Sequence, residues 1–396
     1  MNPPIRFRLA FFLPVLALLA CDLARADDDL SVKVGQTVEV THSRRYCWFP
    51  TVHRFAGGEL MATIRMSPDE TNPEGDFSAV CYSKDGGLTW SHRHTMGAGS
   101  NVDGAYSDTP NDDGTIWNLY GWVVLPNPAG QAQRFEATLT KWSAGGRHFT
   151  QVRDAIFQLT QPVGFSKTQL YGKDHRDAEL TRVPQVNPYG PILKNPDGSW
   201  IAPIEFRPEG EKDTQLGVIR SVDNGQTWNQ ISTIATSHGP DGKRLAWVGD
   251  EGPDESSFVH LADGRLYSIF RTGNHGYLGQ SWSSDDGKTW TAPTSTGFKG
   301  VAPKLRRLSN GVLACTTGRP GPVSIMFSVD GTGKTWSHLT PIFSGMSTRY
   351  TDFVELSPGH LLMIYDSVPY SWDPIPEADP TSINRVLATF VDVKRN

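Results

Sequence analysis

The chain has 396 residues, with 37 Lys and Arg against 42 Asp and Glu and a formal net charge of −5. At 20% charged and 38% hydrophobic, with 39 Gly, 28 Pro and 12 Trp, it is neither a disordered tail nor a coiled coil. No basic stripe marks a nucleic-acid binder, and beyond the N-terminus no apolar run reaches the ~20 residues of a membrane-spanning helix.

Taken in chain order, Arg6 and Arg8 precede the apolar run Leu9 to Ala20, and Ala24-Arg25-Ala26 follows. That order predicts a secretory signal over 1–26, cleaved after Ala26, and a periplasmic or secreted protein consisting of one unit over 27–396. Leu18-Leu19-Ala20-Cys21 offers a lipoprotein anchor at Cys21 as the alternative. Cys47, Cys81 and Cys315 remain, at spacings that match no metal site, and read as buried small hydrophobes, with a Cys47–Cys81 pair left open. No metal and no cofactor is implied.

Two kinds of element then alternate along the chain. One is an apolar strand, a glycine-containing turn and a second apolar strand. It occurs at Val52 to Met61 around Gly57, at Ile192 to Ile201 around Asp197-Gly198 and at Phe258 to Ile269 around Asp263-Gly264. It recurs at Leu305 to Ala314 around Asn310-Gly311 and at Val354 to Ile364 around Pro358-Gly359, with a less regular hairpin flanking Pro126 to Gly130. The other is an eight-residue repeat: Ser83-Lys84-Asp85-Gly86-Gly87-Leu88-Thr89-Trp90, then Ser221 to Trp228, then Ser283 to Trp290. A copy with one extra residue spans Ser328 to Trp336, and a worn one runs from Trp142 to Phe149. In each, Asp accepts backbone N–H bonds across a tight turn, Gly supplies positive φ and Trp covers the hairpin. Six such units of about four strands predict an all-β, six-bladed β-propeller, with residues 30–42 closing the ring against the last blade.

In an antiparallel hairpin, facing residues have a constant index sum. A turn near Asp263 places Glu255 opposite Arg271, one near Pro358 pairs Tyr350 with Asp366, and one near Gly57 sets Arg65 beside Trp48 or Phe49. All sit at the open ends of hairpins, which face one side of a propeller.

The repeats resemble the Asp-boxes of the sialidase superfamily, whose box aspartates are structural. Glu255-Ser256-Ser257-Phe258, running to Arg271, resembles the sialidase segment carrying a catalytic glutamate and a substrate-binding arginine. Arg319 resembles the family's later arginine, and Tyr350-Thr351-Asp352-Phe353 its nucleophile strand, with Tyr350 as nucleophile. The likeness implies a retaining exo-glycosidase that takes terminal α-linked sialic acid, or a related acidic sugar, from a glycan partner. A tyrosine avoids the like-charge repulsion that a carboxylate nucleophile would meet at such a sugar, and its pKa near 10 calls for a base, the role implied for Glu255. Arg271 and Arg319 would be forked donors to the substrate carboxylate.

The chain also departs from that pattern. Cys47-Trp48-Phe49-Pro50 stands where sialidases carry an Arg-Ile-Pro form, so Trp48 replaces an arginine. Arg65, or Arg44 or Arg45, is the candidate replacement charge, and Trp48 itself a sugar platform or a core residue. The resemblance implies an acid/base in the loop after the first hairpin, where Asp69 is favoured over Glu70, Glu74 and Asp76. Another sugar such as a uronate, a lyase reaction, and a non-catalytic glycan-binding propeller stay open as alternatives.

Overall fold

A computed structural model describes residues 29–44, 47–66, 77–95, 105–107, 115–125, 132–143, 149–167, 182–370 and 382–396. The expected leader 1–26 with Cys21, Arg45, and Asp69 with its competitors Glu70, Glu74 and Asp76 lie outside these residues. Every element among the described residues is a strand, and no described helix is long and apolar enough to cross a membrane.

After β1 (Leu30–Ser43), strands β2 (Cys47–Arg54), β3 (Leu60–Met66), β4 (Phe77–Ser83) and β5 (His94–Thr95) form an antiparallel sheet in sequence order. Next come β6 (Ala105–Ser107), β7 (Thr115–Val124), β8 (Arg134–Ser143) and β9 (Phe149–Gln158). A short pair, β10 (Phe165–Lys167) with β11 (Arg182–Pro184), stands apart. Strands β12 (Val186–Pro188) and β13 (Gly190–Lys194) both pair with β14 (Trp200–Phe206), which is followed by β15 (Gln215–Ser221) and β16 (Thr227–Ala235). Parallel pairings of β13 with β6 and of β16 with β9 fuse these two runs into one nine-stranded sheet.

Two further four-stranded sheets follow the sequence order without crossover. They are β17 (Asp254–His260), β18 (Leu266–Arg271), β19 (Tyr277–Ser283) and β20 (Thr294–Lys299), then β21 (Val301–Arg307), β22 (Leu313–Gly318), β23 (Val323–Ser328) and β24 (Ser337–Phe343). The last sheet joins β25 (Thr351–Ser357), β26 (His360–Ser367) and β27 (Asn384–Arg395) to β1. As expected of residues 30–42, the first strand completes the last sheet, with Leu30 facing Arg395 and Ser43 facing Asn384.

Local chemistry explains the regularity. Four inner hairpins share one turn, in which the N–H of Phe55, Asn195, Leu261 or Leu308 donates to the carbonyl four residues on. In each the fourth turn residue is a glycine, Gly58, Gly198, Gly264 or Gly311, at φ between 83° and 86°. A Cβ there would meet nothing, so backbone conformation, not space, demands glycine. The Asp-boxes connect third and fourth strands. In the second, Ser221 Oγ donates to Asp223 Oδ1 (2.8 Å) and accepts from the Gly225 N–H (2.8 Å), Asp223 accepts from the Thr227 N–H (2.9 Å), and Trp228 Nε1 donates to the Gly225 carbonyl (3.0 Å). The same bonds recur around Asp85 and Asp285, confirming the box aspartates as turn formers. Ser221→Ala strands the buried Gly225 N–H, so a loss of about 1–2 kcal/mol is expected in urea unfolding. An unchanged midpoint would show that Asp223 holds the turn alone.

The apolar clusters lie between successive sheets and run in a cycle. Met61 and Val80 meet Ile116 and Trp142, Ile201 and Val218 meet Phe258 and Phe270, and Tyr267 and Ile269 meet Leu313 and Met326. Ile325 and Phe327 then meet Phe353 and Leu361, while Leu362 and Ile364 return to Val52 and Leu60. Twisted sheets packed face to face in this way make a propeller-like all-β fold. Cys47, Cys81 and Cys315 are buried thiols in these cores.

Candidate active site

The inner strands of three sheets begin with a β-bulge. The register of β2 shifts between Trp48 and Thr51, that of β17 between Asp254 and Ser256, and that of β21 between Val301 and Lys304. Each bulge holds a non-glycine residue at positive φ: Phe49 (52°), Glu255 (34°) and Ala302 (42°). The extra residue corrects the register expected from the sequence. Asp254, not Glu255, faces Arg271 in the ladder, because the bulge pushes Glu255 out of the alternation and re-aims its side chain. The other two expected registers hold, since Trp48 faces Arg65 and the Thr351–Tyr365 pair keeps the β25–β26 index sum.

Freed from the ladder, the Glu255 carboxylate gathers three partners. Its Oε1 accepts from the Tyr350 hydroxyl in a short bond and from Arg271 Nη1 at 2.8 Å, while its Oε2 accepts from the Ala302 N–H at 2.9 Å. Arg271 Nη1 also lies 3.4 Å from the Tyr350 oxygen. Nη2 of the same guanidinium donates to Glu251 and to Asn274 Oδ1 (3.2 Å), and its Nε stands 3.8 Å from Asp254. Asn274 bridges to the second expected arginine, since its Oδ1 also accepts from Arg319 Nη1, and Arg319 Nη2 donates to the Thr348 carbonyl at 2.8 Å. Tyr350, Glu255, Arg271 and Arg319, 95 residues apart at the extremes (350 − 255), thus share one cluster.

Trp48 and Phe49 form one wall. The Phe49 ring lies 4.5 Å from that of Tyr350 at 58°, and Trp48, buried, lies 5.6 Å behind Phe49. Arg65 stands half-buried across the ladder from Trp48.

Sequence reasoning assigned no role to several contributors. Asp366 accepts from the Thr348 N–H (2.7 Å), from Ser347 Oγ (2.8 Å) and from the Phe49 N–H (3.3 Å), so one buried carboxyl fixes both the turn into Tyr350 and its aromatic wall. Glu205, at the end of β14, accepts from the Glu255 N–H at 2.8 Å and from Asn187 Nδ2 at 3.2 Å. Glu251, Asp254 and Asn274 complete the shell around Arg271. The hairpin register sets Asp366 opposite Tyr350 without giving it a bonding role, and the acidic run Asp250 to Glu255 does not say which member turns inward.

The electrostatics follow from crowding acids around one guanidinium. Burial, and then the charge of Glu255, push the Tyr350 phenol well above its ordinary value. Burial also works against the charge of Arg271, but the carboxylates of Glu255, Asp254 and Glu251 outweigh it and keep the guanidinium ionised. Burial and the neighbouring Glu255 charge raise Asp254, and the same two causes push Glu205 up to about 7. Among the described residues, no cluster of His, Cys, Asp and Glu is arranged to hold a metal ion.

The profile of the BNR repeat-like domain matches residues 124–363. The chain belongs to the BNR repeat-like family. No curated protein matches it. Among solved structures it resembles a protein of unknown function from Dyadobacter fermentans, at 20% identity and a TM-score of 0.63 over 92% of this chain and 99% of that one. It also resembles a Hadza microbial sialidase, at 17% identity and a TM-score of 0.58 over 91% of this chain and 68% of that one. A third relative is an α-L-arabinanase from Penicillium chrysogenum, solved with arabinobiose, at 16% identity and a TM-score of 0.60 over 91% and 98%. At such identities the likeness shows the fold alone, and the solved structures it resembles carry names that refer to different sugars.

Proposed function

We propose that the protein is a glycoside hydrolase built on a six-bladed propeller, the nine-stranded sheet being two blades joined by their parallel pairings. The observation that carries this reading is the bond between the Tyr350 hydroxyl and Glu255, with Arg271 on both oxygens. A phenol held this far above neutrality is protonated at working pH and is a poor nucleophile until a base removes its proton. Glu255 is that base. Arg271 stabilises the phenolate as it forms, and Tyr350 attacks the anomeric carbon while an acid protonates the departing oxygen. Asp69 is the residue we propose for that acid. Water, giving its proton to the now ionised Asp69, then cleaves the tyrosyl–sugar bond while Glu255 returns the phenol's proton to Tyr350, and the two inversions retain the anomeric configuration.

Two observations favour a sugar other than sialic acid. Trp48 and Phe49 stand where a third arginine would meet a carboxylate, and both terminal nitrogens of Arg271 already donate, Nη1 to Glu255 and Nη2 to Glu251 and Asn274. An aromatic wall beside an acid-rich cluster suits a sugar without a carboxylate on its anomeric carbon. The test is a panel of aryl glycosides that includes an α-sialoside, uronides and α-L-arabinofuranosides, with products read by mass spectrometry and NMR. Hydrolysis with retention of one non-sialic glycoside is expected. Cleavage of the sialoside alone would return the site to acidic sugars, an unsaturated product would make it a lyase, and binding without turnover of any member would sink the enzyme reading.

A further inference from the structure

We propose that Glu205 is a positioning residue of this centre: its carboxyl group grips the Glu255 amide inside the bulge, and the strength of that grip follows Glu205's own protonation. The bulge costs Glu255 a ladder partner and holds it at φ 34°, a region a residue with a side chain rarely occupies. Its N–H points away from β18, and Glu205 Oε2 takes it at 2.8 Å from the neighbouring β14. Glu205 is itself held, since Asn187 on β12 donates to its other oxygen at 3.2 Å and faces it in the ladder. The bond therefore crosses from one sheet to the next and lands on the one backbone group that must stay put for the Glu255 carboxylate to meet Tyr350 and Arg271.

The charged groups facing Glu205 make this grip sensitive to pH. From β17 come the carboxyls of Asp254 and Glu255, and from β18 the guanidinium of Arg271; β12 offers the neutral Asn187, and β15 sets Leu216 opposite in the ladder. Burial and the Glu255 charge raise the Glu205 carboxyl to about 7, so it changes charge within the neutral range. Ionised, it accepts the amide in a charge-assisted bond, roughly twice as strong as the neutral bond that remains on protonation. Its effect on folding has the opposite sign. A carboxyl raised in the folded state adds stability that is present below its unfolded value of 4.5 and is lost as pH rises through about 7.

The grip can be tested without any substrate, whereas its catalytic consequence rests on the reading of Glu255 as the working base. In protein labelled with nitrogen-15 glutamate, the Glu255 amide is identified by its disappearance in Glu255→Gln. Its proton shift should step with a midpoint near pH 7 in the wild type. In Glu205→Gln the step should vanish while the amide stays protected, because glutamine still offers an oxygen. In Glu205→Ala the amide should exchange about tenfold faster, the loss of one hydrogen bond. The melting temperature of Glu205→Gln should exceed the wild type's at about pH 8 and converge with it near pH 5. An amide shift that is flat with pH, or a step that survives Glu205→Gln, would overturn the proposal; should Glu205→Ala not fold, the glutamine comparison still decides. With a glycoside that is turned over, Glu205→Ala should lower kcat at little changed KM, and Glu205→Gln should restore part of it. If the amide behaves as expected and no glycoside is cleaved, the enzyme reading fails while the grip stands.

Discussion

Tyr350→Phe is expected to lower kcat on whichever glycoside the protein cleaves by about a thousandfold or more, with KM changed little. Phenylalanine keeps the ring that packs at a tilt against Phe49, 4.5 Å away, and removes only the oxygen shared by Glu255 and Arg271. Binding should survive and the chemistry should not. Glu255→Gln attacks the same step from the other side, because an amide cannot take the phenol's proton, and a loss of about 10²–10⁴-fold is expected. The two residues act as a unit, so the double variant should be little worse than the poorer single one. Stopped-flow and steady-state rates on one aryl glycoside check all three. A Tyr350→Phe variant with wild-type kcat would remove the tyrosine from the mechanism and leave Glu255 to be tested as nucleophile.

The largest structural effect is expected from Arg271→Ala. The guanidinium is 8% exposed and holds Glu255 and Glu251 directly, with Asp254 at 3.8 Å. Removing it strands like charges in a buried cluster, a loss of about 3–5 kcal/mol. The sign with pH follows from the acids. Asp254, which burial and the Glu255 charge already raise, loses the guanidinium that opposes them, so stability falls as pH rises through its elevated range. Urea midpoints should therefore differ more at about pH 8 than at about pH 4.5. Adding Glu255→Gln removes one stranded charge and should recover part of the loss, a coupling that separate sites would not show. Equal losses at both pH values would mean that Arg271 matters for its packing and not for its charge.

How much of this was legible beforehand depended on distance along the chain. The Asp-boxes and the turn glycines are local: Asp223, Gly225 and Trp228 satisfy one another within eight residues, so their spacing is their mechanism. The convergence of Glu255, Arg271 and Tyr350 was also readable, because hairpin arithmetic puts strand ends on one side whatever the detailed register. The bulge was not. One extra residue in β17 leaves no mark in composition, yet it moves Asp254 opposite Arg271 and aims Glu255 at Tyr350. The roles of Glu205 and Asp366 stayed hidden for a related reason. Each is a single acid in an otherwise apolar strand, and its partner lies on another sheet, 50 residues away for Glu205 and 317 for the Asp366–Phe49 bond. Contacts of that kind are fixed by the packing of whole sheets.

The seam between β1 and β27 has a mechanical consequence. Leu30 faces Arg395 at one end of that ladder, and the Asn396 N–H reaches the Asp29 carbonyl at 3.1 Å, so both strands leave the ring at the same corner. A pull applied there draws the two strands apart like a zipper, breaking one pair at a time, where a pull along the strands would load every pair together. Tension on these ends should therefore open the ring at its closing strand under low force, before any other sheet yields.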